Sequence, residues 1–310
     1  MSAAEFRALY ERLRDGTGLG PQDRRGALNN LSAAQLVAAA AEVQQGRTVS
    51  LAAPVEHQAS PDNPDPWVHE LTHPDTGPAA DRGLDFAMDR LSLNIHGNAD
   101  SHIDALCHVV YDGAVYNDVV PGSWTAASAT SAASAAGLFI DAVGQGIAGR
   151  GVLLDVPRLR GVEWLEPGEH VTSEDLTGAE ASQQIRVGAG DLLFIRTGHR
   201  RRRTVLGPWD AATGRAGLHP SAMELLAQRQ IAVLGSDGNN DTAPSAADGV
   251  SFPVHVLALR ALGLLLLDYL QFEDLAPACA AAGRWSFLCV IAPLRLPTGT
   301  GSPVNPIAIL

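Results

Sequence analysis

Ser221-Ala222-Met223-Glu224-Leu225-Leu226-Ala227-Gln228-Arg229-Gln230-Ile231-Ala232-Val233-Leu234-Gly235 decides the fold class. Ser221 and Glu224 have the spacing of a capping box, and a helical pattern runs from Ser221 to Gln230. A short apolar, β-rich run, residues 231–235, follows at once. A helix that hands over directly to a buried strand is the repeating unit of an α/β protein.

Working outward, similar apolar runs recur at 138–143, 151–156, 191–195, 264–267 and 287–292. A second helical pattern, residues 254–262, precedes one of them. The alternation predicts an α/β fold rather than an all-β one. Upstream, Val49, Leu51 and Ala53 alternate with small or polar residues and predict a strand. Residues 57–82 are rich in Pro, Asp and His and read as a long loop, of the kind that forms lids and pocket walls. In residues 3–15, Phe6, Leu9, Tyr10 and Leu13 share one helical face. Ser32 and Gln35 form a capping box before a second helix over 33–45. Residues 1–47 therefore read as an N-terminal helical appendage to one catalytic domain, 48–310.

The bulk properties set limits. A chain of 310 residues with 46% apolar content buries a large core without disulfides or metals as staples. A metal site must therefore be argued on chemistry. The formal charge of −12 and pI near 5.2 argue against a nucleic-acid partner. Cys107, Cys279 and Cys289 are too scattered for a disulfide framework, which suits a reducing compartment. The start, Met1 to Arg7, lacks a signal-peptide pattern. The apolar run 262–267 is far short of the roughly 20 residues of a membrane span. The expectation is a cytoplasmic protein that does not enter membranes.

The chemistry concentrates in His96-Gly97-Asn98-Ala99-Asp100-Ser101-His102-Ile103-Asp104-Ala105-Leu106-Cys107-His108. Imidazole and carboxylate suit Zn²⁺, Mn²⁺ or Fe²⁺. In a strand, His102 and Asp104 would face the same way and could reach one ion. Asn98 could reach it across a turn. If the chain turns helical after Asp104, His108 returns to the same side, where a general base belongs. A structural His–Asp pair at a strand end is the competing reading, and spacing alone leaves both open. His57, His69, His73, His170 and His199 stand singly and read as surface or satisfied histidines.

The segment from Asn98 to His108 resembles the signature H-x-G-T-H-x-D-A-x-x-H of the metal-dependent cyclase/hydrolase superfamily, which includes bacterial kynurenine formamidases and isatin hydrolases. Ser101 replaces the usual Thr, and Asn98 occupies the place of the first His. The resemblance extends to Leu234-Gly235-Ser236-Asp237 with Asp241, to Pro253-Val254-His255, to Leu266-Leu267-Asp268-Tyr269-Leu270 with Glu273-Asp274-Leu275, and to the tail Gly299–Ala308. It covers roughly residues 48–310. It implies a mixed, barrel-like β core with flanking helices, of the swivelling β/β/α type. His102, Asp104 and Asp268 would be metal ligands, with Asp268 where the family commonly has Glu. His255 would match a ligand of the second metal of two-zinc members, and His108 would be the catalytic acid/base. Because amide oxygen is a weaker ligand than imidazole, Asn98 argues for a single ion, Mn²⁺ or Zn²⁺. Members are usually dimers or tetramers.

The implied activity is hydrolysis of an amide or ester carbonyl, in a cyclic amide, a lactone or an aryl formamide, on a small aromatic or cyclic substrate. The same site could instead run a cyclisation or dehydration. A metal-free binding protein of the same fold is the third possibility. Trp124, Tyr111, Tyr116, His219 and Asp237 are candidate substrate contacts. The basic run Arg200–Arg203 reads as a solvated loop. Cys107 reads as a buried filler rather than a nucleophile.

Overall fold

A computed structural model of the chain describes residues 1–72, 86–121 and 137–310. The strands are β1 (Thr48–Ser50), β2 (Val68–Thr72), β3 (Met88–Ser92), β4 (His102–Asp104), β5 (Ile147–Asp155), β6 (His170–Val171), β7 (Leu192–Arg196), β8 (Gly217–Leu218), β9 (Val233–Ser236), β10 (Leu265–Asp268), β11 (Ser286–Ile291), β12 (Gly301–Pro303) and β13 (Ile307–Ile309). Nine of them form one mixed sheet in the order β1-β13-β11-β5-β7-β9-β10-β4-β12. Strands β5, β7, β9 and β10 are mutually parallel, and antiparallel strands complete both sides. Residues of β7, β9 and β10 are buried throughout. That is why these stretches read as continuous apolar runs rather than alternating ones.

The helices are α1 (Ala3–Gly16), α2 (Ala33–Ala39), α3 (Val156–Arg160), α4 (Ser173–Ser182), α5 (His199–Leu206), α6 (Ala222–Arg229), α7 (Pro253–His255) and α8 (Leu275–Ala282). A π-helical segment, Val256–Leu262, continues α7 without a break. Sheet and helices together form one α/β domain with a mixed, half-barrel core, as the sequence predicts. In α1 the face read from sequence, Phe6, Leu9, Tyr10 and Leu13, is buried in the same apolar core as the sheet. It packs on the π-helical segment.

Three local expectations fail, each for a physical reason. Residues 138–143 do not form a strand. Ile140–Val143 is a 3₁₀ turn, with Leu138 and Ile140 buried. A short apolar run reports burial, and burial does not require a ladder. Part of the expected loop 57–82 is a strand, because β2 pairs with β3 as an antiparallel hairpin. Every residue of the two strands is exposed, so no alternating apolar face marked them. Residues 73–82 of the loop lie outside the described residues. At α6, Ser221 is already helical and makes no cap bond. Its hydroxyl lies 2.7 Å from Nδ1 of His219 instead. The box at Ser32 and Gln35 does form.

Strand β4 decides where the chemistry sits. It is held between β10 and β12, with Asp268 opposite His102, and both Leu266 and Gly301 opposite Asp104. Asp268 is also the last residue of the parallel strand β10. Crevices at the carboxyl ends of parallel strands are where α/β sheets place ligands.

Candidate metal centre

Along β4 the pleat sends Ile103 into the apolar core and sets His102 and Asp104 on the other face. Nε2 of His102 lies 3.8 Å from Oδ1 of Asp104. Nδ1 of His96 lies 2.9 Å from the same oxygen. On the other side, Nε2 of His255 lies 3.4 Å from Oδ2 of Asp104 and 3.3 Å from Oδ2 of Asp268. Two compact ligand groups result: His96, His102 and Asp104, and Asp104, His255 and Asp268. Asp104 belongs to both.

The surrounding residues orient these groups. Nδ1 of His102 sits 2.8 Å from the carbonyl of Asp100. A carbonyl only accepts, so Nδ1 carries the proton and the Nε2 lone pair faces the site. Oδ2 of Asp241 lies 2.6 Å from Nδ1 of His255. The same carboxylate accepts the backbone N–H groups of Val254, at 2.6 Å, and His255, at 3.0 Å. One side chain therefore caps the start of α7 and fixes the imidazole that α7 carries. Asp268 accepts from Nδ2 of Asn239 at 2.6 Å, and from both N and Nδ2 of Asn240 at 3.1 and 2.6 Å. The run Asn239-Asn240-Asp241 just past β9 thus supports both Asp268 and His255. Sequence reasoning passed over the two carboxamides. Their signal was position, as polar residues immediately beyond the carboxyl end of a buried strand.

Burial opposes ionisation of Asp104, yet the imidazoles of His255, His96, His108 and His102 around it hold its carboxyl well below the usual range. Burial likewise disfavours charge on His255, but Asp268, Asp104 and Asp241 outweigh it and raise the imidazole well above its ordinary value. His108 goes the other way: burial lowers it to about 4 against the pull of Asp104. It is neutral at neutral pH, with a lone pair to accept a proton. Burial pushes the Cys107 thiol up to about 12, which leaves it inert as a nucleophile, as expected.

The residues read from sequence distribute unevenly. His102, Asp104, Asp268, His255 and His108 converge on one cavity of about 540 Å³. His108 returns to it through a turn, with its N–H on the carbonyl of Ala105, rather than through a helix. Its Nε2 lies 4.0 Å from Oδ1 of Asp104. Asn98 lines the cavity, and its Oδ1 accepts the Tyr269 hydroxyl at 2.9 Å. The imidazole that Asn98 was expected to cost the site comes from His96, two residues earlier. His96 stacks on His108 with centroids 3.8 Å apart. Glycine at 301 allows this, because a Cβ there would lie 2.6 Å from Cε1 of His96. With His96 beside Asp104, the lack of a histidine at 98 does not by itself decide between one ion and two.

Tyr111 lines the cavity. Tyr116 does not; its hydroxyl donates to Asp23. His219 lies apart, in edge contact with His170. Asp237 is wholly buried and accepts the N–H groups of Thr197 and Gly198, so it braces β7 rather than facing the cavity. Trp124 and His73 lie outside the described residues. The run Arg200–Arg203 is the first half of α5, not a loop. Arg200 is buried, and Arg203 pairs with Asp62 and Glu56.

The residues fit a divalent cation. Oδ2 of Asp104 is buried without a hydrogen-bond partner, and the two ligand groups that share Asp104 add three imidazoles and the Asp268 carboxylate. Such a donor set suits Zn²⁺, Mn²⁺ or Fe²⁺. Fold and site together define an α/β half-barrel protein with a candidate centre for one or two divalent ions. The Cyclase family model matches residues 40–240, and the chain belongs to that family. The structure of a novel cyclase is 31% identical over 97% of this chain and 99% of its own, with a TM-score of 0.79. An isatin hydrolase bound to the product analogue thioisatinate is 22% identical, covering 89% of this chain and 95% of its own, with a TM-score of 0.57. Isatin hydrolase A from Labrenzia aggregata gives 22% identity, coverage of 89% and 99%, and a TM-score of 0.58. The last two likenesses speak for the fold. No curated protein sequence matches the chain.

Proposed function

We propose that this protein is a metal-dependent hydrolase that opens an amide or ester carbonyl, in a cyclic amide, lactone or aryl formamide. One observation carries the reading: the two ligand groups that share Asp104 lie beside a neutral imidazole, His108, on the same cavity. His96, His102, Asp104, His255 and Asp268 would hold one or two Mn²⁺ or Zn²⁺ ions. When bound, such an ion supplies Lewis acidity and lowers the pKa of a coordinated water.

The chain's own groups do the rest. His108 accepts the proton of the attacking water and returns it to the leaving nitrogen or oxygen. Its depressed basicity keeps it free for the first of these steps. Asp241 keeps His255 in one tautomer, and Asn239 and Asn240 hold both oxygens of Asp268. The cavity lining also includes Val109, Tyr111, Val250, Phe252 and Val256. It suits an apolar, ring-sized substrate body. The chain contains no lysine, which removes Schiff-base chemistry from consideration.

The homo-oligomer belongs to the same proposal. Its support is the pair β2 and β3, whose strand residues are all exposed, with Leu71 and Leu91 61% and 64% exposed. A lone two-stranded hairpin is marginal in water and an apolar one invites a partner.

The test is a hydrolysis screen of formanilides, isatin-like lactams, lactones and cyclic imides, with chelator and then Mn²⁺ or Zn²⁺ added back. The expected result is a product heavier by one water, activity lost on chelation and regained with metal. A product lighter by one water would replace hydrolysis with cyclodehydration. Activity indifferent to chelation would remove the metal.

A further inference from the structure

Asp268, at the end of β10, is followed by a residue in an unusual conformation. Tyr269 has φ +55°, the left-handed region that side-chain-bearing residues avoid. The kink lets its hydroxyl reach Oδ1 of Asn98 at the cavity while its ring packs beneath His102. A strained backbone persists only where its surroundings over-determine it. The surroundings here centre on Arg200 of α5.

The Arg200 side chain is buried, and among the described residues it forms no ion pair with a carboxylate. Its guanidinium donates instead to three backbone carbonyls. They belong to Ala99, at 2.5 Å, to Tyr269, and to Leu270, at 3.3 Å from Nε. Ala99 lies just before β4, and Tyr269 and Leu270 lie just after β10. One planar fork thus ties together the ends of the two strands that carry His102, Asp104 and Asp268. The hydroxyl of Ser101 adds a second bond to the Tyr269 carbonyl at 2.6 Å. The ladder between β4 and β10 spans only three residue pairs, so it offers little independent restraint at this end. Asp237 and Asp100 attract this guanidinium only from beyond contact distance. Burying it without a carboxylate in contact is costly, and core packing alone would be served better by an apolar side chain.

We infer that Arg200 is a positioning residue: its clamp on Ala99, Tyr269 and Leu270 holds Tyr269 in the left-handed kink and sets the spacing between Asp268 and the His102/Asp104 strand. The consequence for metal binding rests on the proposed function; the clamp itself does not.

Two readouts keep these apart. The first is hydrogen exchange of the chelated protein, wild type against Arg200→Gln. Peptides covering 97–103 and 266–272 should exchange at least about tenfold faster in the variant, with β5 and β7 unchanged. The second readout is Mn²⁺ titration, where Arg200→Gln should bind about 10–100-fold more weakly. If Arg200→Gln does not fold, Arg200→Lys, which keeps the charge but not the planar fork, enters the same measurements with the same expected direction. Unchanged exchange in both peptides, or faster exchange spread equally over β5 and β7, overturns the clamp. Normal wild-type exchange behaviour together with no Mn²⁺ binding by wild type would sink the metal reading and leave the clamp standing.

Discussion

His108, Asp241 and Asp237 show how differently three residues of similar promise behave. His108 sits in the cavity, neutral, with no ligand role required of it. His108→Ala is expected to cut turnover by about 10²–10⁴-fold while metal content stays that of wild type. Activity and metal analysis on one sample check both halves. Asp241 never meets the cavity directly, yet it fixes His255. Asp241→Asn should weaken metal affinity about 10–100-fold, read by titration after chelation. An unchanged affinity would reduce Asp241 to a helix cap. Asp237 is a stability residue. Burial raises its carboxyl to about 6, against the opposing charge of Arg196 and the bonds from Thr197. A raised acid contributes stability that is full below its unfolded pKa and is lost as pH climbs through the folded value. Denaturant unfolding should therefore show part of the stability lost between about pH 4 and about pH 7, by an amount on the order of 2–3 kcal/mol. Asp237→Asn should flatten that segment of the profile.

At the scale of elements, α1 shows why residues 1–47 matter to the domain behind them. The four apolar residues of its buried face sit in the common core, and Phe6 is 1% exposed. The helix packs on the π-helical segment that continues α7, the carrier of His255. Phe6→Ala should cost about 3–5 kcal/mol in chemical unfolding, as expected for a buried aromatic truncation. A loss below about 1 kcal/mol would mean that the helix stands apart from the core. The periodicity of this face was fully legible in the sequence. Its partner was not, because nothing in a 3.6-residue period names the surface it meets. Hairpin β2–β3 is the reverse case: with no buried face, it left no pattern to read.

Over the whole molecule, the nine-stranded sheet brings together residues as far apart as His96 and Asp268. The hairpin belongs to this scale as well. Replacing Leu71 and Leu91 together by Glu should lower the solution mass to that of one chain, measured by analytical ultracentrifugation against the wild type. A wild type that is itself one chain would refute the oligomer. No helix among the described residues is long and apolar enough to cross a membrane.

The sequence by itself determined the alternation of strands and helices, the two-residue spacing of His102 and Asp104, and the family pattern that led to His108, His255 and Asp268. These are local properties, set by pleat, period and residue type. It did not single out His96, Asn239, Asn240 or Arg200. Those depend on which segments lie side by side. His96 reaches the site because β12 crosses beside β4 and offers glycine at 301. Arg200 reaches two strand ends because α5 packs across them. Contacts between distant segments follow from the packing of the sheet, and a motif read along the chain carries no record of them.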